Sequence, residues 1–345
     1  MLALRGIFKS EIRMAEYNGV LICGELTEEK KVAYITLEML GIGRKLAADL
    51  KQDLSLAVMG SEMGNVAPEL IAFGAQKVYL LDSPLLQEYQ PDFYVAALER
   101  LCNELKPDIV LIGQTSIGQD IAPRLAFRLN TMLVTDCIDL AIDPETRQLL
   151  KTKMVYGGNA LAVYASPTKP QMATVRAKAM SSLERDDARK GEVIPFDPQL
   201  DASLSRTEVV EKVKVGEGVR LEDADVVVSG GRGIGSAEGF EQLRELSRLL
   251  GGATGASRVA CDQGWVPITW QVGLTGKIIS PDLYIAVAIS GASQHLAGIS
   301  GAKKIVAINK DREANIFKVA DYGVVGNYEE VIPAFIEKVR ESASK

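Results

Sequence analysis

The stretch Val226-Val-Val-Ser-Gly-Gly-Arg-Gly233 decides the fold. Its valine run reads as a strand buried on both faces, as parallel sheets require. The serine, glycines and Arg232 after it read as a turn at the strand's carboxyl end. The pattern recurs twice: Ile285 to Ile289 runs into Ser290-Gly-Ala-Ser293, and Ile305 to Ile308 runs into Asn309-Lys-Asp311. In an open parallel sheet, ligands bind beyond the carboxyl ends of the strands, at the point where strand order reverses. Glycines there let backbone approach a pyrophosphate, and N–H groups with a helix N-terminus hold the anion. Three such turns point to a nucleotide or dinucleotide. The bland alternative is that βα turns use glycine anyway.

Outward from these turns, the second half reads as strands over 225–229, 283–289, 304–309 and 322–325, with helices over 237–250 and 329–340. The segment 255–277 is too long and too rich in Gly, Trp and polar residues for a simple crossover, and long loops on α/β scaffolds usually carry function. The first half alternates strands over 20–23, 54–59, 78–81, 109–112 and 133–135 with helices over 37–50, 66–73, 93–105 and 121–129. Short strands over 149–155, 161–165 and 172–175 come next. The expected class is α/β, with two doubly wound parallel-sheet domains. Residues 16–180 would form the first and 224–345 the second. A charged linker or hinge with one short strand would span 181–223, and 1–15 would be an N-terminal extension, since a start at Met14 would suffice for the first strand.

Composition narrows the chemistry. Lys and Arg number 39 against 45 Asp and Glu, a net charge of −6, which excludes a general nucleic-acid binder. No apolar run approaches the roughly 18 residues of a membrane span, so no membrane insertion is expected. Cys23, Cys102, Cys137 and Cys261 form no C-x-x-C pair, so no metal cluster and no disulfide framework is expected, and a reducing, cytoplasmic compartment fits. His295 is the single histidine among 345 residues, which disfavours triads and His-ligated metals. Chemistry here is expected to come with a cofactor, with no catalytic side chain of its own.

Two fingerprints fail. A G-x-G-x-x-G run from Gly231 would need glycine at Ser236, and one from Gly233 would need it at Glu238. A phosphate-loop reading at Gly276-Lys277 has Gln271 in place of its first glycine and Ile278 in place of Ser or Thr. An NAD-linked dehydrogenase is disfavoured for that reason.

Val226–Gly233, Gly255-Ala-Ser-Arg258, Gln271-Val-Gly-Leu-Thr-Gly-Lys277, Ser290-Gly-Ala-Ser-Gln-His-Leu-Ala-Gly298 and Ala307-Ile-Asn-Lys-Asp311 together resemble the alpha subunit of electron-transfer flavoproteins. The first half is similar through Lys106-Pro-Asp-Ile-Val-Leu-Ile-Gly113, Asp120-Ile-Ala-Pro-Arg124, Asp136-Cys137, Gly157-Gly-Asn159 and Pro170-Gln-Met-Ala-Thr-Val-Arg176. The resemblance implies a nucleotide-hydrolase-like first domain that meets a beta subunit, and a second domain that binds FAD. It implies single-electron traffic with acyl-CoA dehydrogenases or similar flavoprotein dehydrogenases. Plain carrier and NADH-dependent electron-bifurcating system both stay open.

By the same resemblance, Arg232, Ser290 and Asn309 would meet the pyrophosphate, and the adenosine end would lie near Gly326-Asn327-Tyr328. Ser257, Arg258, Gln271, Gly273, Thr275 and His295 would surround the flavin ring and ribityl chain. Gly233, Val272, Gly276, Gly291, Ala292, Gln294 and Asp311 complete the implied cofactor-binding set. The family's threonine hydroxyl approaches flavin N5 and its histidine approaches O2.

Leu274 stands where glutamine is common and Asn327 where aspartate is, which removes polar and charged groups near the cofactor. Gln119 and Met132-Leu-Val-Thr135 also depart from the pattern and bear on docking to the beta subunit. A nucleotide-binding regulatory or assembly protein of the same fold, without redox activity, is the competing reading.

Overall fold

The computed structural model describes residues 17–158, 160–212 and 220–343. The expected extension over 1–15 lies outside the described residues. The chain forms two compact units. One holds the residues up to Thr152, Val163–Arg176 and Met180–Val210; the other holds Lys153–Ala162, Ala177–Ala179 and the chain from Glu211.

In the first unit β1 (Val20–Gly24), α1 (Tyr34–Leu50), β2 (Leu54–Gly60), α2 (Ala67–Ala72), β3 (Lys77–Asp82), α3 (Pro91–Leu105), β4 (Ile109–Gly113) and α4 (Ser116–Arg128) alternate. Then come β5 (Leu133–Ile142), β6 (Leu149–Val155), β7 (Ala160–Tyr164), β8 (Gln171–Val175) and β9 (Glu192–Pro195), the far ends of β6 and β7 counting with the second unit. The nine strands run in the order β7-β6-β5-β8-β4-β1-β2-β3-β9. Every residue of β1 and β4 is buried, as strands covered on both faces must be. Helix α1 buries Ile35, Met39, Ile42, Leu46 and Leu50, one face at helical spacing. It stops at Lys51, which takes a left-handed conformation and donates its N–H back to the Ala47 and Ala48 carbonyls.

The charged stretch after 180 is largely attached to this unit. β9 pairs with β3 in parallel, Arg189 Nη1 donates to the Ala72 carbonyl at 2.6 Å, and Ile194, Phe196 and Leu200 pack against the first core. Its charges sit on the solvent side while alternate apolar residues anchor it. The connection beyond Val210 is therefore much shorter than 181–223, and 213–219 lie outside the described residues.

The second unit holds β10 (Val226–Gly230), α5 (Gly239–Leu249), β11 (Ala253–Ala256), α6 (Arg258–Asp262), β12 (Leu283–Val287), α7 (Ser293–Ile299), β13 (Lys304–Asn309), β14 (Tyr322–Val325) and α8 (Tyr328–Ala343). All five strands are parallel, in the order β11-β10-β12-β13-β14. The sheet separates two cores. Val228, Ile285 and Val287 face Phe240, Leu243 and Leu246 of α5, while Val227, Tyr284, Ala286 and Ala307 face Val272 and Ile299. A Cβ on Gly230 would stand 2.5 Å from the Phe240 ring, so glycine lets α5 close over the end of β10.

Both halves are thus α/β with parallel sheets, as the sequence implies. The strand β11 was not foreseen: its Ala-Thr-Gly-Ala begins between the expected helix over 237–250 and the long segment over 255–277 and runs into the latter.

Candidate functional site

Strand order in the second sheet reverses beside β10: β11 lies on one side and β12 on the other. The crevice beyond their carboxyl ends is where a doubly wound sheet takes its ligand. Sequence-predicted site residues come after the ends of all five strands. Arg232 and Gly233 follow β10, Ser257 and Arg258 follow β11, and Ser290 to Ala292 follow β12. Asp311 lies just beyond Asn309, the last residue of β13, and Asn327 and Tyr328 follow β14.

The turns are built tightly. Gly231 N donates to the Val287 carbonyl at 2.8 Å, and a Cβ on Gly231 would lie 2.1 Å from the Ala288 oxygen. Ala288 itself has φ +53, an unusual conformation for a non-glycine residue. Buried Asn309 donates from Nδ2 to the Ile289 carbonyl at 2.9 Å and accepts the Asp311 amide at 3.0 Å. It ties the β12 and β13 turns together. Gly233, Ala288, Asn309, Lys310, Gly326, Asn327 and Glu329 line a pocket of about 220 Å³ between these turns. A larger hollow of about 380 Å³, lined by Pro91, Val95, Pro123, Arg124 and Phe127, lies on the first unit; it sits between two helices, away from any strand end.

The segment 271–277 is pinned at both ends. Val272 N donates to the Ala256 carbonyl at 2.9 Å, and Leu274 N donates to the Gln294 carbonyl at 2.8 Å. A Cβ on Gly276 would stand 2.3 Å from the Gln271 oxygen, and one on Gly298 would meet the Gly273 backbone at 2.5 Å. Gln271 Nε2 donates to Thr275 Oγ1 at 2.9 Å, which leaves the threonine proton free to donate elsewhere. Thr275 is exposed, and Leu274 is 60% exposed, so Leu274 does not dry its surroundings.

Ser257 N donates to the Gly230 carbonyl at 2.9 Å, and its buried Oγ has no hydrogen-bond partner. Arg258, 66% exposed, reaches Asp262 at 3.3 Å. Exposed Arg232 has no ion-pair partner among the described residues. His295 is buried, with Nε2 2.8 Å from the Tyr284 hydroxyl. Burial lowers its pKa from 6.5 to about 4, against a small opposing effect of the Val272 backbone, so the ring is neutral near pH 7. It is a donor or acceptor here, not a cation.

Some predicted residues are spent on bonds and packing within the protein. The Val272 side chain belongs to the core, so Val272 offers only backbone. The Tyr328 hydroxyl donates to the Ile234 carbonyl at 2.8 Å, and Asp311 accepts the Glu313 amide at 3.0 Å. Gln294 is exposed and accepts from Ser293 Oγ at 3.2 Å. Trp265 packs against the second core, and the Trp270 ring lies 4.7 Å from the Arg244 guanidinium carbon, so both serve packing. Buried Cys261, its thiol pushed up to about 11, serves packing too. Sequence reasoning missed Tyr284, Lys310 and Glu329. The signal for Tyr284 was a lone phenol in an aliphatic strand, eleven residues before the single histidine.

Glycine-built turns at Gly231, Gly276 and Gly291, an orphaned Ser257 hydroxyl, and the cations Arg232, Arg258 and Lys310 fit an anionic dinucleotide. The second unit is therefore a doubly wound α/β domain of the kind whose switch point takes nucleotides.

Residues 20–200 match the family model described as the electron transfer flavoprotein domain, and 220–300 the electron transfer flavoprotein FAD-binding domain. The chain is 46% identical over 330 residues to the electron transfer flavoprotein subunit alpha of Thermoanaerobacterium thermosaccharolyticum, covering 95% of this chain and 99% of that one. It is 42% identical to the subunit alpha of Megasphaera elsdenii, covering 95% and 98%. It is 38% identical to protein FixB of Azotobacter vinelandii, covering 94% and 92%. The chain belongs to the electron transfer flavoprotein alpha-subunit family, and its role is electron transfer. Among the described residues no helix is long and apolar enough to cross a membrane.

Proposed function

We propose that the second unit holds FAD along the carboxyl edge of its sheet. We further propose that the chain works beside a beta subunit, moving single electrons from an acyl-CoA dehydrogenase or similar flavoprotein dehydrogenase to an acceptor. The observation that carries this reading is the reversal of strand order beside β10, with glycine-built turns on both sides. Bound FAD supplies one-electron chemistry at its ring system.

The residues of this chain bind and orient. Arg232 offsets phosphate charge, with Ser290 and the Asn309-braced turn beside it. Gly326 and Asn327 border the pocket suited to the adenosine end. The Thr275 proton, left free by Gln271, is the donor for a ring nitrogen. Ser257 offers an unspent hydroxyl. Arg258 supplies positive charge where the ring gains negative charge.

Co-expression with the beta subunit followed by an absorbance scan tests the proposal. A flavin band that bleaches on mixing with reduced acyl-CoA dehydrogenase is expected. A colourless protein carrying an adenine nucleotide would favour the regulatory reading, and reduction by NADH alone would favour a bifurcating system.

A further inference from the structure

Tyr284 is the bulkiest fully buried side chain among the described residues, on a strand whose other residues are Leu283, Ile285, Ala286 and Val287. Its neighbours across the sheet are Val227 and Ile305. A phenol enclosed by such residues must find a partner for its hydroxyl, because leaving it unpaired forfeits a full desolvation cost. Its partner is His295 Nε2 at 2.8 Å, with the two rings 6.1 Å apart and tilted by 51°. The other ring nitrogen, Nδ1, is buried and lacks a partner of good geometry. The Val272 backbone lies close enough to favour its proton. One bond thus fixes one side of the ring and leaves the other directed at the segment that carries Thr275.

We propose that Tyr284 is a positioning residue of this site: its hydroxyl donates to Nε2 of His295, which fixes the imidazole as the Nδ1–H tautomer and aims that N–H at the segment 271–277. The role in the site rests on the reading that this segment lines the flavin; the tautomer does not. Tyr284 keeps its proton in either tautomer of the ring; with Nε2 bare that proton has an acceptor at 2.8 Å, whereas with Nε2–H it would be left to the Ser229 hydroxyl, which makes no hydrogen bond of good geometry. Burial raises the Tyr284 pKa, against an opposing effect of the Ser229 hydroxyl, so the phenol has its proton to donate. Val272 N is bonded to Ala256, Leu274 N to Gln294, and Gln271 to Thr275. Turning the ring would therefore disturb the element on which the threonine donor stands.

Because His295 is the only histidine, nitrogen-15 NMR on histidine-labelled full-length protein reads the ring without assignment. The sample is the co-purified holoprotein, measured with FAD and after its removal. Expected is one pyrrole-type Nδ1 and one pyridine-type Nε2 at pH 7 in both. Tyr284→Phe is expected to give averaged nitrogen shifts from mixed tautomers, with FAD binding roughly two- to tenfold weaker, the range of one neutral hydrogen bond. An Nε2–H tautomer in the unsubstituted protein overturns the proposal, as do unchanged nitrogen shifts in folded Tyr284→Phe. If that variant fails to fold, the unsubstituted spectrum still decides. The expected tautomer in a chain that never takes FAD would leave the tyrosine lock standing and remove the cofactor reading.

Discussion

A methyl group on Gly291 would stand 2.3 Å from the amide nitrogen of Ile316, and the glycine itself has φ +82. The Ile316 amide donates to the Ser290 carbonyl at 3.1 Å, so the β12 turn is stitched to the segment after β13 across this contact. Gly291→Ala is expected to cost about 2–5 kcal/mol, combining a left-handed alanine with overpacking against backbone that cannot yield. Urea denaturation gives the cost, and FAD titration of the surviving folded protein is expected to show lost binding. Unchanged stability would mean that the turn relaxes freely and does not shape the crevice.

Arg258 is exposed and shared with Asp262, and this sets the size of its effect. A dry charge-assisted bond would shift a one-electron potential by many tens of millivolts, but an exposed pair contributes only about 0.2–1 kcal/mol. At 59 mV per tenfold, Arg258→Ala is expected to lower the first reduction potential of bound flavin by about 10–40 mV. Arg258→Lys is expected to recover only part of the loss, since a point charge lacks the planar fork. Spectroelectrochemistry showing no change with FAD retained would remove Arg258 from the flavin's surroundings.

His295 makes stability depend on pH. Burial holds the folded imidazole at about 4 against an ordinary 6.5, and no charged side chain contributes to the shift. As pH falls, the unfolded chain takes up the proton first. The stabilisation is therefore complete above about 6.5 and is lost as pH falls toward 4, reaching about 3 kcal/mol. Urea midpoints of the unsubstituted chain and His295→Gln, compared at pH 7 and pH 4.5, isolate this contribution from that of the carboxylates. Parallel pH dependences in the two would mean that the ring is solvated.

Much of the fold was legible because buried parallel strands announce themselves as β-branched runs. Val226-Val-Val and Ile109-Val-Leu-Ile112 can hardly be anything else. β11 stayed hidden because Ala253-Thr-Gly-Ala256 holds only one β-branched residue; its pairing with β10, and not its propensity, makes it a strand. Helix α4 starts at Ser116, ahead of the expected 121, because Thr115 Oγ1 accepts the Gly118 amide at 2.9 Å and nucleates a turn that Gly118 and Pro123 obscure in the sequence.

The glycine turns and the motif residues of the site were readable one by one. Their inward partners were not, because a phenol eleven residues ahead of a histidine forms no motif, and only the fold brings the two side chains together. Nor could the sequence reveal that His295 is buried and neutral while Arg258 is solvated, because burial is settled by packing.

Asp136 and Arg176 offer a last test, in the first unit. Arg176 Nε and Nη2 meet the two carboxylate oxygens of Asp136 at 2.8 and 2.6 Å, and the side chains are 8% and 16% exposed. Asp136 has φ +63, which shifts the register between β5 and β8, and its amide donates to Thr174 Oγ1 at 2.8 Å. The fork therefore holds a backbone irregularity shut at the end of β8. Asp136→Asn separates the two contributions, since asparagine tolerates the left-handed conformation as well as aspartate does. It removes only the Asp136 countercharge of a nearly enclosed guanidinium. Breaking such a pair from one side costs about 3–5 kcal/mol. Arg176→Lys is expected to cost less than Asp136→Asn, because charge is kept and only the bidentate geometry is lost. Removing both charges in Asp136→Asn with Arg176→Met is expected to recover part of the loss, because the buried guanidinium that lost this countercharge is gone as well. A full double-mutant cycle in urea measures this. Strictly additive single costs would show that the two residues stabilise β5 and β8 separately, and that the fork between them holds nothing.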